Sequence, residues 1–325
     1  MNSGPAAATF HAGRGPGPQL SCGYGTDRGL RRELNEDSFI ASDPVFAVAD
    51  GMGGHEAGEV ASGICVRTLA GMPQLATGER TASAAAVQQY LEIADERIRA
   101  ATGSRAGTTL SGVVVVEQMG VPYWLVMNIG DSRTYLLSRG GFSQISVDHS
   151  EVQELVEAGE ITPEEAAVHP RRHVVTRALG TGDETEADYW LLPIEEGDRI
   201  MICSDGLNGE LTDDDMFRVL STVADPQEAV DALIQAALRS GGRDNVTVIV
   251  VDARNVTNDV DTATAESRRA AGAGDQDAAP RIHTADGTAV TGAAADTPEA
   301  PHETDGANGA GDARPHQVNR TLSAV

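Results

Sequence analysis

Short apolar runs, each bounded by turn-forming residues, alternate along the chain with stretches of helical spacing. The apolar runs predict strands over 20–26, 39–41, 45–49, 107–117, 121–129, 133–137, 141–145, 189–192, 198–203 and 246–251. The turn Ser42-Asp43-Pro44 makes a hairpin of the second and third. We expect 107–117, 121–129 and 133–137 to be successive strands of one antiparallel sheet.

Apolar residues at three- and four-residue steps predict two long helices. The first covers 56–69, with an inward face made by Val60, Ala61, Ile64, Cys65, Thr68 and Leu69. The second covers about 82–100, with Val87, Leu91, Ala94 and Ile98 inward. Residues 148–178 form a mixed helical insertion. Thr162, Thr212 and Asp225 are each followed by the acidic or proline residues of a helix start, so we expect them to be N-caps.

The composition divides the chain into three parts. Residues 1–18 are rich in Gly, Pro and Ala and predict a flexible lead-in, and 19–254 carry the strand and helix pattern of one domain. Residues 255–325 are rich in Ala, Gly, Thr and Asp with few large apolar side chains, so they cannot offset the entropy of ordering. We expect this acidic tail to be disordered.

The formal net charge of −25 limits the partners of the protein. It argues against nucleic acid and anionic membranes, and a phosphorylated substrate needs local arginines or metal ions. Cys22, Cys65 and Cys203 are scattered in apolar stretches, which predicts buried free thiols in a reducing compartment. The N-terminus lacks an apolar core of signal-peptide length, and no window approaches 18 apolar residues. We expect a cytoplasmic protein that does not enter a membrane.

A carboxylate follows the apolar strand 45–49. Asp50 is succeeded by Gly51, Gly53 and Gly54, which leave the backbone bare enough to approach a ligand. A carboxylate beside backbone carbonyl oxygens is how proteins hold hard divalent cations. The alternative is an ordinary turn after a strand, which is the commoner origin of an isolated Asp-Gly.

Three further acids occupy similar strand boundaries. Asp205 follows the strand 198–203, Asp244 precedes the strand 246–251, and Asp131 lies between two strands. Four such acids suggest convergence at one edge of the sheets, where crowded carboxylates repel each other unless a cation neutralises them. We therefore predict a cluster of Mg²⁺ or Mn²⁺ ions rather than a calcium store, because the chain lacks the loop pattern of a calcium-binding hand.

Six short motifs follow one another along the chain. They are Arg32-x-x-Asn35-Glu36-Asp37, Asp50-Gly51-Met52-Gly53-Gly54-His55, Gly107-Thr108-Thr109, Gly130-Asp131-Ser132-Arg133, Ser204-Asp205-Gly206 and Arg243-Asp244-Asn245-Val246-Thr247. Their order and approximate spacing resemble those of the metal-dependent protein serine/threonine phosphatases of type 2C, the PPM family, in its bacterial branch. The likeness covers about residues 20–253, and the insertion resembles the flap of that branch.

The resemblance implies an α+β fold, a four-layer α-β-β-α sandwich of two antiparallel sheets flanked by helix pairs. It also implies site roles. Asp50 bridges two metal ions, with Gly51 adding its carbonyl, and Asp205 and Asp244 complete the ligands of the first ion. The remaining roles fall to Glu36 and Asp37 near the second ion, Asp131 at a possible third ion, and Arg32 at the substrate phosphate.

Elementary chemistry of phosphate ester hydrolysis agrees with these roles. Two divalent ions acidify a water that attacks phosphorus, and a planar, permanently charged arginine suits the nonbridging oxygens. His55 is a candidate general acid for the leaving oxygen; its alternative is a histidine that holds a metal-bound water. We expect hydrolysis of phosphoserine and phosphothreonine in proteins, by a monomer that opposes a serine/threonine kinase. The alternatives are a catalytically silent regulatory module and a hydrolase of small phosphoesters.

Other candidate residues have simpler interpretations. Cys203 lies inside an apolar strand, which predicts a core thiol and no covalent catalysis. We expect Arg133 to order the loop around Asp131 rather than to bind phosphate. For His149 and His173 we expect positions that face solvent, and the alternative is contact with the substrate. The arginines of the insertion could form a basic flap that offsets the acidic charge for phosphopeptides; they are Arg171, Arg172 and Arg177.

Overall fold

The computed structural model describes residues 17–53, 57–182 and 186–256, which form two antiparallel β-sheets with helices. The strands are β1 (Gln19–Asp27), β2 (Asp37–Ser42), β3 (Val45–Gly53), β4 (Ala106–Thr108), β5 (Leu110–Gln118), β6 (Val121–Ile129), β7 (Arg133–Ser138), β8 (Gly141–Gln144), β9 (Asp188–Pro193), β10 (Arg199–Cys203) and β11 (Val246–Arg254). The helices are α1 (Ala57–Ala70), α2 (Pro73–Ala76), α3 (Ala84–Thr102), α4 (Glu151–Glu157), α5 (Pro163–Val168), α6 (Asp205–Asn208), α7 (Asp213–Thr222) and α8 (Pro226–Ser240).

The first sheet has the strand order β1-β11-β10-β7-β8. The second has the order β2-β3-β5-β6-β9, with β4 paired to the end of β3. Helices α1 and α3 cover the second sheet, and α7 and α8 cover the first. The predicted four-layer α-β-β-α sandwich is confirmed.

Three separate apolar cores hold the layers together. One lies between α1, α3 and the second sheet, another between α7, α8 and the first sheet, and the third between the two sheets. Strand β5 contributes side chains to two of these cores. Val114 and Val116 face the helices, whereas Val113 and Val115 face the opposite sheet, because side chains alternate along a strand. A strand buried on both faces is therefore a continuous apolar run.

The two long helices follow their predicted patterns with one exception. In α3 all four predicted core residues are buried, and Ser83 caps the helix by accepting a hydrogen bond from the Ala86 N–H. In α1 the prediction was wrong for Val60, which is 42% exposed. The first turn of α1 packs on the second sheet through Gly58, which meets Gly51 and Glu36, but Val60 lies with the exposed Glu59 on the side of the helix that faces away. The predicted caps Thr162, Thr212 and Asp225 all accept backbone N–H groups.

The chain changes sheet between β6 and β7, so the prediction that 107–117, 121–129 and 133–137 are successive strands of one sheet was wrong. β6 pairs with β5 and β9, but β7 pairs with β10 and β8 in the other sheet. Gly130 makes the crossing possible. Its φ is +99°, and a Cβ there would lie 2.5 Å from the Thr109 side chain. The predicted strand 107–117 is likewise divided at Thr109 into β4 and β5.

The predicted tail, residues 255–325, lies outside the described residues except for Asn255 and Val256, and most of the lead-in also lies outside them. The boundaries of the domain at 19 and 254 therefore remain predictions. Among the helices of the described ranges, none is both long and apolar enough to cross a membrane.

Candidate active site

Strand register brings the four predicted aspartates to one edge of the sandwich. In the first sheet, Cys203 at the end of β10 pairs with Arg133 at the start of β7 and with Val248 near the start of β11. Asp205, Asp131 and Asp244 therefore lie at the same edge, because antiparallel neighbours place the end of one strand beside the start of the next. In the second sheet Asp50 pairs with Asp37, which brings in a fifth acid.

These residues surround a cleft of about 570 Å³. It is lined by Asp50, Asp131, Asp205 and Asp244 together with Glu36, Gly51 and Arg32, so seven of the nine predicted site residues meet there. Asp37 lies behind the cleft wall. His55 lies outside the described residues, and its role as general acid or water-holding histidine remains a prediction.

Asp50 is fixed through its backbone. Its N–H donates to Thr109 Oγ1 at 3.1 Å, and its carbonyl accepts from the Thr109 N–H and the Thr108 hydroxyl, both at 2.9 Å. Thr109 Oγ1 in turn lies 2.7 Å from Ser132 Oγ in the crossing loop. The threonine pair thus positions the Asp50 carboxylate and the Asp131 loop together. Thr108 and Thr109 belong to a recognised sequence motif, but their role depends on contacts with Asp50 and Ser132 that the sequence does not show.

Gly51 follows Asp50 at a point of close backbone approach. A Cβ at this position would lie 2.2 Å from the carbonyl oxygen of Gly58 at the start of α1. The Gly51 N–H donates to the Glu36 carbonyl at 3.2 Å. Only glycine allows the end of β3, the Glu36 segment and α1 to meet here.

Asp37 is a buried carboxylate with half of its hydrogen-bonding capacity satisfied. Its Oδ2 accepts from the hydroxyls of Thr247 at 2.6 Å and Ser204 at 2.8 Å, whereas its Oδ1 is buried and has no hydrogen-bond partner among the described residues. Burial raises the pKa of Asp37 to about 7 despite those two hydrogen bonds. An unpartnered carboxylate oxygen fits a role in holding a cation or its bound water.

The acids of the cleft repel one another in the absence of a cation. Burial, and then the charges of Asp37 and Asp205, raise the pKa of Asp50 well above its ordinary value. Burial and the charge of Asp205 raise the pKa of Asp131 to about 7. Such a group of oxygen donors fits hard divalent cations, whose charge would relieve both the burial cost and the repulsion.

Arg32 supplies positive charge at the mouth of the cleft. Its Nη2 lies 2.5 Å from Asp244 Oδ2, and this hydrogen bond, followed by the charges of Asp244, Asp50 and Asp205, raises the pKa of the guanidinium. Within the described ranges no three carboxylate, imidazole or thiol side chains form a closed ligand cluster. The acids are instead spread around the cleft, which lowers their mutual repulsion, and Arg172 and Arg243 line it together with Arg32.

Asn245 joins the arginine loop to the acidic edge, a role that sequence reasoning missed. Its side-chain amide donates to the carbonyls of Arg28 and Leu34, both at 2.9 Å, and its Oδ1 accepts from the Glu36 N–H at 2.8 Å. Three hydrogen bonds from one residue thus hold the segment that carries Arg32 and Glu36 against Asp244. The only sequence signal was its place beside Asp244 in a motif.

The loop of Asp131 is ordered by its neighbours, as expected for Arg133. That guanidinium contacts both carboxylate oxygens of Asp148 at 2.7 to 3.0 Å. The expectation that His149 faces solvent was wrong, because it is 7% exposed. Its Nδ1 accepts from the Gly130 N–H at 3.1 Å, and its Nε2 lies 3.2 Å from Asp188 Oδ2. These partners compensate the burial of the imidazole.

Only part of the predicted basic flap faces the cleft. Arg172 lines it, whereas Arg171 pairs with Glu151 and Arg177 pairs with Asp188. His173 is 58% exposed, as expected, and also lines the cleft with its Nδ1 3.7 Å from Asp205 Oδ2. Cys203 is fully buried as a free thiol, which confirms the core interpretation.

Comparison with known proteins agrees with this arrangement. Residues 25–240 match the family described as protein phosphatase 2C. The chain belongs to the protein phosphatase 2C family. The membership predicted from the motifs is thereby confirmed.

Individual members give the degree of likeness. The serine/threonine protein phosphatase PstP of Mycobacterium tuberculosis is 40% identical over 240 residues, which cover 70% of this chain and 44% of that protein. The chain thus spans less than half the length of this relative. The serine/threonine phosphatase Stp of Listeria welshimeri is 36% identical over 237 residues, covering 70% of this chain and 94% of that protein. A crystal structure of the PstP catalytic domain in complex with two manganese ions matches with a TM-score of 0.63 and 38% identity, covering 72% of this chain and 98% of that one.

Proposed function

We propose that the chain hydrolyses phosphoserine and phosphothreonine in proteins at a binuclear Mn²⁺ or Mg²⁺ centre. The observation that carries this proposal is the convergence of Asp50, Asp205 and Asp244 on one cleft with Arg32 at its mouth. The names of the relatives and the two manganese ions in the PstP catalytic domain support it.

The residues present fit such a centre. Asp50 with the Gly51 carbonyl would be shared between two ions, and Asp205 and Asp244 would serve the first. Glu36 and Asp37 would act near the second, with Asp37 Oδ1 as the free acceptor, and Asp131 would serve a third. When bound, the cations supply an acidified water as nucleophile and neutralise charge on the phosphate.

The chain itself contributes positioning and charge. Arg32 has a planar guanidinium whose N–H groups can donate to two nonbridging phosphate oxygens. To bind phosphate, the guanidinium must either break its contact with Asp244 or keep that contact through one nitrogen only. The hydrogen bonds of Thr108 and Thr109 to the Asp50 backbone fix the position of that acid. The hydrogen bonds of Asn245 fix the segment that carries Arg32 and Glu36, so the acids and the arginine need little reorganisation during the reaction. Proton donation to the leaving oxygen is assigned to His55, on sequence grounds alone.

Phosphorylated proteins are the proposed substrates, and a serine/threonine kinase that makes them is the proposed partner. The net charge of −25 disfavours nucleic acid as an alternative anionic substrate. We propose that the chain acts as a monomer in the cytoplasm.

The test is hydrolysis of para-nitrophenyl phosphate and of a phosphothreonine peptide by the full 325-residue chain. Each is measured with Mn²⁺, with Mg²⁺ and with excess EDTA. We expect turnover of both substrates with either cation and its loss in EDTA, restored by adding the metal back. A folded, metal-replete chain that hydrolyses neither substrate would instead support the silent regulatory module.

A further inference from the structure

A second cavity lies beside the metal cleft, beneath the insertion. Its volume is about 580 Å³, and it shares Asp131, Arg172, His173, Asp205 and Gly209 with the cleft. A phosphorylated residue seated in the cleft belongs to a peptide that continues in both directions. Side chains a few residues away from it can therefore reach this second space, which we call the insertion cavity.

One wall of the insertion cavity is apolar. Helix α4 contributes Val152 and Val156, and α5 contributes Pro163, Ala166 and Ala167. The capping box of Thr162 with Glu165 holds the start of α5, so the apolar wall is built on ordered helices. Such a wall suits the methylene groups of a long side chain.

The opposite wall carries both signs of charge, with four aspartates beside Arg133, Arg172 and His173. Arg172 and His173 also line the metal cleft and so lie at the boundary between the two spaces, whereas Asp213 lines only the insertion cavity. Asp148 is neutralised by its bidentate contact with Arg133, and Asp131 and Asp205 belong to the proposed metal centre. Asp213, in the first turn of α7, differs from these. It is exposed, forms no ion pair within the described part of the chain, and accepts one hydrogen bond of 3.5 Å from the Tyr135 hydroxyl. Its charge is available to a ligand.

We propose that the insertion cavity binds an arginine or lysine side chain of the substrate, close in sequence to the phosphorylated residue. The aliphatic stem packs on Val156 and Pro163, and the cation approaches Asp213. The net charge of −25 likewise favours a substrate with positively charged residues beside the phosphorylated one. This inference rests on the proposed phosphatase function and adds a sequence preference to it.

The test compares phosphothreonine peptides that differ only in carrying arginine or its neutral isostere citrulline, placed at each of the three positions before and after the phosphothreonine. At one or more positions we expect kcat/KM of the full chain to be about two- to fivefold higher for arginine, as for an exposed ion pair, and the ratio to fall with added salt. Asp213→Asn brings the ratio to one. Asp214→Asn, on the same helical turn but outside the cavity, leaves it unchanged.

A second pair of variants tests the apolar wall. Ala166→Trp fills the cavity and raises KM for the arginine peptide, whereas hydrolysis of para-nitrophenyl phosphate, too small to reach the cavity, stays the same. Val168→Trp is the matched control, because Val168 is 78% exposed on the same helix and does not line the cavity.

The outcomes separate this inference from the proposed function. Equal kcat/KM for arginine and citrulline at all positions, by a chain that hydrolyses para-nitrophenyl phosphate, overturns the inference alone. So does an arginine preference that survives both Asp213→Asn and Ala166→Trp. If the chain hydrolyses nothing, binding of the corresponding nonhydrolysable phosphonate peptides decides: tighter binding of the arginine form that depends on Asp213 supports the cavity, and equal binding overturns it.

Discussion

The Nδ1 atom of His149 accepts a hydrogen bond from the Gly130 N–H at 3.1 Å, and the His149 N–H donates to the Gly130 carbonyl at 2.9 Å. This double contact fastens the base of the insertion to the loop that carries Asp131. Because the carbonyl of His149 also accepts from the Thr176 N–H, both ends of the insertion meet at this residue. A buried histidine thus links the Asp131 loop to the part of the chain that covers the cleft.

His149→Ala should loosen that loop. It leaves the buried Gly130 N–H without its acceptor, at a cost of about 1–3 kcal/mol in the free energy of unfolding, and raises the Mn²⁺ concentration needed for half-maximal activity. His149→Asn places Oδ1 where Nδ1 was and should recover most of both losses. Urea denaturation and Mn²⁺ titrations measure them. Equal defects in the two variants would mean that the Gly130 hydrogen bond is not the cause.

Arg32→Lys should lower kcat/KM for the phosphothreonine peptide by about ten- to a hundredfold, because an ammonium cannot make the bidentate contact of a guanidinium with phosphate. Arg31→Lys is the matched control, since Arg31 is exposed and does not line the cleft. Both variants are measured at saturating Mn²⁺. Arg32 pairs with Asp244, a proposed metal ligand, so at lower Mn²⁺ a change in metal affinity would add to the change in phosphate binding. A similar loss in both variants would contradict the assignment to Arg32.

The metal-free chain should become less stable as pH rises toward neutrality. Burial raises the pKa of Asp37 and of Asp131 to about 7, whereas in the unfolded chain both titrate near the ordinary value of about 3.9. Between those values the folded chain binds more protons, so its free energy of unfolding falls with rising pH. Thermal unfolding in EDTA should give a lower Tm at about pH 8 than at about pH 5, and Mn²⁺ should raise Tm more at the higher pH. The reverse trend in EDTA would refute this electrostatic description of the cleft.

The sequence alone was sufficient for most strands, for the long helices and for the acids at the strand ends, but not for the short helices α2 and α6. Strand β3 and helix α3 carry strong local patterns, and the helix starts at Thr162 and Thr212 are specified by residues within one turn. Strand register then brings the ends of several strands to one edge, so acids at strand boundaries were a usable signal of a site.

Partners distant in sequence account for what could not be predicted. β7 pairs with β10, some 65 residues later, and nothing in its own sequence distinguishes this pairing from one with β6. The environment of His149 depends on Gly130 and Asp188, which lie 19 and 39 residues away. The roles of Thr109 and Asn245 depend in the same way on hydrogen bonds to segments that the fold brings together.

The most direct test of the account replaces Asp205 by asparagine, which keeps the shape of the side chain and removes its charge. The rate of phosphothreonine peptide hydrolysis at a fixed Mn²⁺ concentration is compared among the original chain, Asp205→Asn and Asp213→Asn. Asp213 is the control because it does not line the metal cleft. We predict a fall of at least about a hundredfold for Asp205→Asn, with fewer bound Mn²⁺ ions per chain, and none of that size for Asp213→Asn. A folded Asp205→Asn chain that keeps its full rate and its bound Mn²⁺ would contradict the assignment of the cleft as the metal-dependent catalytic site.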